Sequence, residues 1–291
     1  PILPGCRILP ETVPGKSKSN VSWMKMMLEK SALYVVATPI GNLSDISLRA
    51  LEVLAGADAI AAEHVQNSAH LLAKHHITAK WIRLHQHNES AAAEKILSLL
   101  RAGERVALVT DAGTPGISDP GAILVQRVRE GGYRVIPVPG ANAAVCALSA
   151  AGISDPHFLF YGFLPAKSGL RKRALTEMKS YQFTVIFYEA PHRILESVTD
   201  MIEVFGENRK ITIARELTKL FETIHCGTLA ETLAWLQADI NQQKGEFVLL
   251  LSGAEMPEES GISEDARHTL SCLLAELPLK IEQLLNDADS I

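Results

Sequence analysis

Long hydrophobic runs are absent from this sequence of 291 residues. No stretch approaches the roughly 20 apolar residues that a helix needs to cross a bilayer, and the first residues lack the apolar core of a signal peptide. We therefore expect a protein without a membrane partner. With 47% hydrophobic residues the chain can still bury a full core, and its length predicts two domains.

Cysteine is scarce as well. The chain carries Cys6, Cys146, Cys226 and Cys272. None of their spacings is typical of a metal site or of a disulfide framework, and such usage suits a reducing compartment, so we expect a cytoplasmic protein. We also expect no metal, because the pair His85 and His87 has no neighbouring Cys and Asp set to complete its ligands.

The fingerprints of common nucleotide-binding folds are missing too, since neither the GxGxxG nor the Walker spacing occurs. In their place, residues 111–121 read DAGTPGISDPG and follow Val106–Val109, a run typical of a buried parallel strand. Ligands of open α/β sheets bind at the carboxyl ends of strands, where glycines let the backbone come close to them. Asp111 and Asp119 can accept hydrogen bonds from a ribose hydroxyl or an ammonium. A stiff connection without a ligand is the alternative interpretation.

Two further segments show the same strand–loop–helix pattern. A strand at 33–37 runs into a glycine-bearing loop, and Ser44 or Asp45 is expected to cap the next helix. Residues 134–152 contain a strand, a turn at Gly140 and a helix of small residues. The three loops together predict a ligand site along one edge of one sheet.

The order of strands and helices divides the chain. They alternate over residues 31–152, which is typical of a parallel sheet covered by helices. Residues 153–253 mix apolar strands with predicted helices at 171–178, 194–204 and 229–237. Residues 1–30 lack apolar periodicity and are predicted to be an extended arm, and residues 254–291 a helical tail.

Seven segments occur in the order and spacing of one known family. They are VVATPIGNLSDISLRAL, VTDAGTPGISDPG, IPVPGANAAVCALSAAG, GFLPAKSGLRKRAL, IFYEAPHRI, ARELTKLFETIHCGTL and KGEFVLLL. The chain thereby resembles ribosomal RNA small subunit methyltransferase I, a family of class III S-adenosylmethionine enzymes. The resemblance implies the α/β, two-domain tetrapyrrole methylase fold, with a parallel-sheet N-terminal methyltransferase domain and a mixed-sheet α/β C-terminal domain.

The same resemblance implies an activity. A methyl group would pass from S-adenosyl-L-methionine to the ribose 2′-hydroxyl of a cytidine in small-subunit (16S) rRNA, free or in the 30S particle. A homodimer is also implied. The cofactor would bind in the cleft between the domains, at Ile40, Asp111, Ala112, Gly113, Gly116, Ile117, Asn142, Ala143, Glu189, Leu217, Gly245 and Glu246.

The reaction would be an in-line displacement at the methyl group, so alignment of the reacting atoms supplies much of the rate. The hydroxyl still loses a proton, and a base or a nearby cation should help. Candidates among the charged residues expected at the cleft are Glu63, Arg193, Arg215, Glu222 and Lys244. Ion pairing between the domains is an equally good interpretation of each.

A net charge of −5 argues at first sight against a nucleic-acid binder. Counter-ion release, however, needs only a local basic patch. The candidate RNA-binding residues are Lys167, Arg171, Lys172 and Arg173, with Lys219 from another segment. A solvated helix face is the alternative interpretation of such a charge run.

One segment departs from the family. Relatives usually read Ala-Glu-Asp-Thr-Arg after the second strand, whereas this chain reads Ala62-Glu63-His64-Val65-Gln66. The lost guanidinium removes a bidentate contact that the Gln66 amide cannot restore. Two other functions stay open: a methyltransferase of the same fold with a tetrapyrrole or diphthine-type acceptor, and a non-catalytic RNA-binding assembly factor.

Overall fold

The computed structural model describes residues 28–85 and 88–254, together with a helical backbone at His268 and Ser271. Its strands form two sheets of five strands each. The first sheet consists of β1 (Ala32–Val36), β2 (Ala59–Ala62), β3 (Trp81–Arg83), β4 (Val106–Val109) and β5 (Arg134–Val138). All its pairings are parallel, and the strand order is β3-β2-β4-β1-β5.

A helix follows each strand of the first sheet, as parallel connections require. These helices are α1 (Leu48–Gly56), α2 (Val65–Lys74), α3 (Glu89–Arg101), α4 (Ala122–Glu130) and α5 (Ala143–Ala150). Strands β2 and β4 are buried along their whole length, because an apolar cluster packs on each face of the sheet. One cluster contains Leu54 and Leu72, and the other contains Ile96 and Leu108. The rigid sheet fixes where its loops emerge.

The start of α1 differs from the prediction. The hydroxyl of Ser47 caps this helix by accepting a hydrogen bond from the Ala50 amide at 3.1 Å. Ser44 and Asp45 lie instead in a short 3-10 turn, which the Asn42 side chain caps. The expectation that Ser44 or Asp45 caps the helix is therefore wrong, because the extra turn separates them from it.

The second sheet is mixed. It consists of β6 (Phe158–Phe163), β7 (Thr184–Glu189), β8 (Lys210–Arg215), β9 (Thr223–Thr228) and β10 (Phe247–Leu251), in the order β6-β7-β10-β8-β9. β6 and β7 are parallel, and the other pairs are antiparallel. The helices of this unit are α6 (Ser168–Glu177), α7 (Ile194–Phe205) and α8 (Leu229–Ala238).

Helix α5 joins the two units. Its small residues Ala144 and Ala147 pack with Ile186, Val248 and Leu250 of the second sheet in one apolar cluster. The opposite face of this sheet packs in a separate cluster with α6, α7 and α8. Because α5 holds the second sheet beside the loops of the first, a cleft forms between them.

Parts of the prediction fall outside these residues. The arm at 1–30 and the tail at 254–291 lie almost wholly beyond the described ranges, and so does His87. The domain boundaries stay predictions. Within residues 28–85 and 88–254, no helix combines the length and the apolar character that a membrane span requires.

Candidate active site

A cavity of about 360 Å³ lies between the loops of the first sheet and one end of the second. On the first side, its wall is formed by Ile40, residues 112–114 and 117–119, and Asn142 with Ala143. On the second side, it is formed by Phe163, residues 188–191, Ala214, Leu217 and residues 246–248. The loops follow β1, β4 and β5, so the cavity occupies the edge at which α/β sheets bind their ligands.

Hydrogen bonds tie the loops of the first wall together. Thr38 and Gly113 exchange two backbone hydrogen bonds, at 2.9 and 3.0 Å, so the loops after β1 and β4 pair like strands. The Thr114 hydroxyl donates to the Ala141 carbonyl at 3.1 Å, which joins the loop after β5 to the loop after β4. Gly113 has a φ of +77°, a conformation that strains any residue with a Cβ. The sequence thus builds a rigid wall with accessible backbone at Gly113.

The loop after β8 connects the two walls. The Asn42 amide donates to the Thr218 hydroxyl at 3.0 Å. A Cβ added to Gly41 would lie 2.5 Å from Cγ of Lys219, so this glycine permits the close approach of the two loops. Glu216 and Thr218 have positive φ angles of 53° and 65°. Such strain persists only where surrounding contacts hold the backbone, and these contacts fix Leu217 at the cavity.

The cavity is acidic and partly apolar. Asp119, Glu189 and Glu246 contribute carboxylates, and none of the described residues that line the cavity is lysine, arginine or histidine. Ile40 and Leu217 supply apolar surface. Carboxylates next to apolar walls are complementary to an organic cation, and they repel phosphate groups.

Two of the three carboxylates already have cationic partners. Glu189 is buried and accepts hydrogen bonds from Arg193 Nη2 at 3.1 Å and from the Ser197 hydroxyl at 2.6 Å. Glu246 Oε2 accepts one from Lys219 Nζ at 2.9 Å. Burial alone would lower the pKa of Lys219, but its hydrogen bonds to Glu216 and Glu246 raise it. The ammonium therefore keeps its positive charge, which these two carboxylates balance.

Asp119 is different. Burial raises the pKa of its carboxyl to about 6, the negative charges of Glu63 and Asp111 act in the same direction, and a hydrogen bond with Thr110 opposes them. Burial likewise raises the pKa of the neighbouring Tyr188, and the charge of Asp119 contributes. The carboxyl of Asp119 therefore binds its proton more tightly than an ordinary aspartate.

The comparisons with known proteins identify the family. The sequence model of the Tetrapyrrole (Corrin/Porphyrin) Methylases matches residues 32–233. Ribosomal RNA small subunit methyltransferase I of Escherichia coli is 51% identical over 248 residues, 85% of this chain and 86% of that protein. Its namesake in Vibrio cholerae is 50% identical over 248 residues, again 85% of this chain and 86% of the relative. The chain belongs to the ribosomal RNA small subunit methyltransferase I family.

Solved structures agree on the fold. Cobalt precorrin-4 methyltransferase, a cobalamin biosynthetic enzyme, matches with a TM-score of 0.57 at 18% identity, over 76% of this chain and 95% of that one. Uroporphyrin-III-C-methyltransferase from Thermus thermophilus matches with a TM-score of 0.51 at 18% identity, over 76% of this chain and 94% of that one. The predicted tetrapyrrole methylase fold, with one parallel and one mixed sheet, is confirmed.

The structure brings most of the expected cofactor-binding residues to the cavity. They are Ile40, Ala112, Gly113, Ile117, Asn142, Ala143, Glu189, Leu217 and Glu246. Asp111, Gly116 and Gly245 are not part of its wall. Asp119 and Tyr188 also line the cavity. The sequence indicated Asp119 as an acceptor for a ribose hydroxyl or an ammonium, whereas Tyr188 was not expected at the site. The loop pattern includes Asp119, whereas the face that Tyr188 presents depends on how α5 packs against the second sheet.

Asp111 points to the altered family segment instead of the cavity. Its Oδ2 lies 2.8 Å from both His64 Nδ1 and Asn67 Nδ2, and its Oδ1 accepts a hydrogen bond from the His64 amide at 3.2 Å. Polar atoms of Glu63, His64 and Asp111 lie within 4.8 Å of one another, a spacing that a metal could also use. The mutual contact of His64 and Asp111 accounts for their arrangement, and the expectation of no metal stays a prediction.

None of the five candidate catalytic residues lines the cavity. Arg215 donates to the Phe221 carbonyl at 3.1 Å and to the Lys244 carbonyl at 3.2 Å. Glu222 accepts from the Thr218 amide at 2.6 Å, and Lys244 Nζ donates to Asn241 at 3.0 Å. Arg193 holds Glu189, and Glu63 acts on the cavity through the charge it places near Asp119. These contacts favour supporting roles for the five.

The expected RNA-binding residues do not form one surface. Arg171 is fully buried and cannot contact a phosphate at the surface, so its assignment is corrected. It lies on the inner face of α6, the face that also buries Leu175. Lys172 pairs with Glu203 at 2.9 Å, and Lys219 is neutralised as described. Lys167 and Arg173 are exposed.

Proposed function

We propose that this chain transfers a methyl group from S-adenosylmethionine to the ribose 2′-hydroxyl of a cytidine in small-subunit rRNA. Family membership and relatives about half identical in sequence, named for small-subunit rRNA methylation, support an rRNA substrate. The observation that carries the proposal is the acidic cavity at the loop edge of the first sheet, which has no basic residue in its described wall.

The residues of the cavity fit this cofactor. S-adenosylmethionine supplies a methyl group on a positively charged sulfur, next to an ammonium, a ribose and an adenine. Glu246 and Asn142 offer acceptors for the ammonium and the hydroxyls. Ile40 and Leu217 offer apolar surface, and Gly113 leaves its backbone accessible. The described wall offers no basic side chain that could bind a phosphate-rich ligand.

On the substrate side, the rate of transfer depends on how the ribose hydroxyl is positioned. Groups on the cavity rim would exclude water and align the hydroxyl oxygen with the methyl carbon, and alignment is the main source of rate in such a transfer. The exposed cations Lys167 and Arg173 are candidates for phosphate contacts. A net charge of −5 favours a folded 30S particle over a lone RNA strand, because a lone strand offers the enzyme fewer contacts.

The test is methyl transfer from labelled S-adenosylmethionine to undermethylated 30S subunits, to free 16S rRNA and to a tetrapyrrole acceptor in parallel. Nucleosides from the RNA are then separated and identified by mass. We expect 2′-O-methylcytidine from 30S subunits. Label on a base, or on the tetrapyrrole alone, would contradict the proposal. Cofactor binding without transfer to any acceptor would favour an assembly factor.

A further inference from the structure

The three carboxylates of the cavity wall differ in whether a cation neutralises them. Glu189 is held by Arg193 and Ser197, and Glu246 by Lys219. Within the described part of the chain, the charged groups that act on Asp119 are the carboxylates of Glu63 and Asp111, and no cation pairs with it. Asp119 is therefore the wall carboxylate whose charge no described cation neutralises.

We infer that Asp119 accepts the proton of the attacking ribose hydroxyl. This inference rests on the proposed function. The new bond joins the hydroxyl oxygen to the methyl carbon while the carbon–sulfur bond breaks and leaves its electron pair on sulfur. The sulfonium becomes a neutral thioether, and the hydroxyl proton moves to a carboxylate oxygen of Asp119. Water later takes that proton, which restores the carboxylate.

The surroundings of Asp119 suit this step. A base works best when its pKa lies close to the working pH while the base is still ionised, and burial brings the pKa of Asp119 to about 6. Glu63 faces it from the loop after β2, and Asp111 from its own loop. Tyr188 faces it from β7, and Thr110 forms a hydrogen bond with it. His64 acts only through Asp111, to which it is bonded.

The competing role for the same carboxylate is to hold the ammonium of the cofactor. The two roles differ in what a neutral side chain changes. A proton acceptor affects the rate of transfer and its pH dependence, whereas an ammonium partner affects cofactor affinity. Asparagine keeps the shape of the aspartate, so the Asp119→Asn variant separates the two roles without altering the packing.

The experiment uses the full chain with 30S subunits. Transfer rates at saturating substrate are measured from pH 5 to 8.5 for the wild type, Asp119→Asn and Glu63→Gln, with cofactor affinity measured by calorimetry. We expect Asp119→Asn to lose roughly 10²- to 10⁴-fold in rate, as for other general bases, with unchanged cofactor affinity. The wild-type rate should rise with pH and level off above about 6, following the pKa of Asp119. Glu63→Gln should move this rise to lower pH, because it removes a negative neighbour.

Each outcome decides the inference. An Asp119→Asn variant with the wild-type rate and pH profile would overturn it. A loss of cofactor affinity as large as the loss of rate would also overturn it, in favour of ammonium binding. A wild type that methylates 30S subunits keeps the proposed function whatever the variant does. A wild type that methylates no RNA refutes that function and the role of Asp119 together.

Discussion

Arg171 and Asp200 form an ion pair that solvent barely reaches. Arg171 Nε lies 2.6 Å from Asp200 Oδ2, and the two side chains are 1% and 8% exposed. Arg171 also donates to the Ala166 carbonyl at 3.2 Å, and Asp200 accepts from the Ser168 hydroxyl at 2.9 Å. The pair therefore stabilises the packing of α6, and of the turn before it, against α7.

We expect Arg171→Ala to lower the free energy of unfolding by about 3–5 kcal/mol, because Asp200 would remain buried without a countercharge. Replacing both partners, as Arg171→Met with Asp200→Leu, should cost much less. Urea unfolding measures both. The control is Arg173→Ala, whose exposed pair with Glu177 spans 3.9 Å and should change stability by less than about 0.5 kcal/mol. Equal losses for the two alanine variants would show that the buried pair is not structural.

The exposed cations Lys167 and Arg173 can be tested separately from the buried Arg171. Lys167→Glu with Arg173→Glu should weaken binding to 30S subunits and flatten its dependence on salt, because fewer counter-ions are released. Cofactor affinity should stay unchanged. The control is Arg101→Glu, since Arg101 is an exposed cation at the end of α3, a helix of the first sheet. Equal salt slopes for all three proteins would remove Lys167 and Arg173 from RNA binding.

Gly113 offers a test of the cofactor site with a matched control. Gly113 and Gly103 have similar φ angles of +77° and +84°, so valine imposes a similar backbone strain at both positions. Only Gly113 lines the cavity, and nothing lies within 4 Å of a Cβ at Gly103. Gly113→Val should weaken S-adenosylmethionine binding at least tenfold, about 1.4 kcal/mol, in calorimetry. Gly103→Val should bind as the wild type does. The same affinity for both variants would place the cofactor elsewhere.

Asp119 should make stability depend on pH. Its folded-state pKa of about 6 is above the ordinary 3.8, so the folded chain binds the proton more tightly than the unfolded chain. This contribution is present in acid and is lost as the pH rises through about 6. Asp119→Asn should therefore stabilise the fold at pH 8 and not at pH 4. The full shift corresponds to about 3 kcal/mol. Because the group is only partly buried, we expect about 1–2 kcal/mol in urea unfolding.

Outcomes for this variant separate two explanations. A gain in stability at pH 8 with a loss of methyl transfer would show that the charge of Asp119 is retained for function at the expense of stability. An equal change in stability at pH 4 and pH 8 would mean that the proton affinity of Asp119 does not differ between the folded and unfolded chains.

We expect a homodimer at micromolar concentration, as the family resemblance implies. Exposed apolar side chains on the edge strand β6, among them Phe158 and Tyr161, are the candidate contact. Light scattering should give twice the mass of the chain for the wild type and a lower mass for Phe158→Glu. A wild-type monomer would contradict the prediction.

Most of the fold could be predicted from the sequence, and the exceptions have physical causes. β1, β2 and β4 are apolar runs in the buried part of a parallel sheet, so pattern alone locates them. The edge strand β9, TIHCGT, has no buried residue, so no apolar pattern marks it in the sequence. Arg171 was misplaced because three consecutive cations suggest one surface. On a helix they point about 100° apart, and Arg171 lies one turn before the buried Leu175.

Local sequence pattern alone predicts one side of the site, whereas Glu189, Leu217 and Glu246 on the other side were expected only from the family resemblance. Glycine and proline mark the loops after parallel strands, so the wall around Gly113 follows from local sequence. The wall around Tyr188 depends on which face of the second sheet α5 covers, which is a tertiary relationship. Asp111 was expected at the cofactor because nothing in its own loop reveals the contact with His64, a residue that departs from the family pattern.

The last described strand, β10, is also the middle strand of its sheet, between β7 and β8. During synthesis, β7 and β8 therefore each keep one unpaired edge until residues 247–251 leave the ribosome. Unpaired strand edges are templates for aggregation. A chain stopped shortly before residue 247 would expose two such edges at once, so it should need chaperone protection that the finished chain does not.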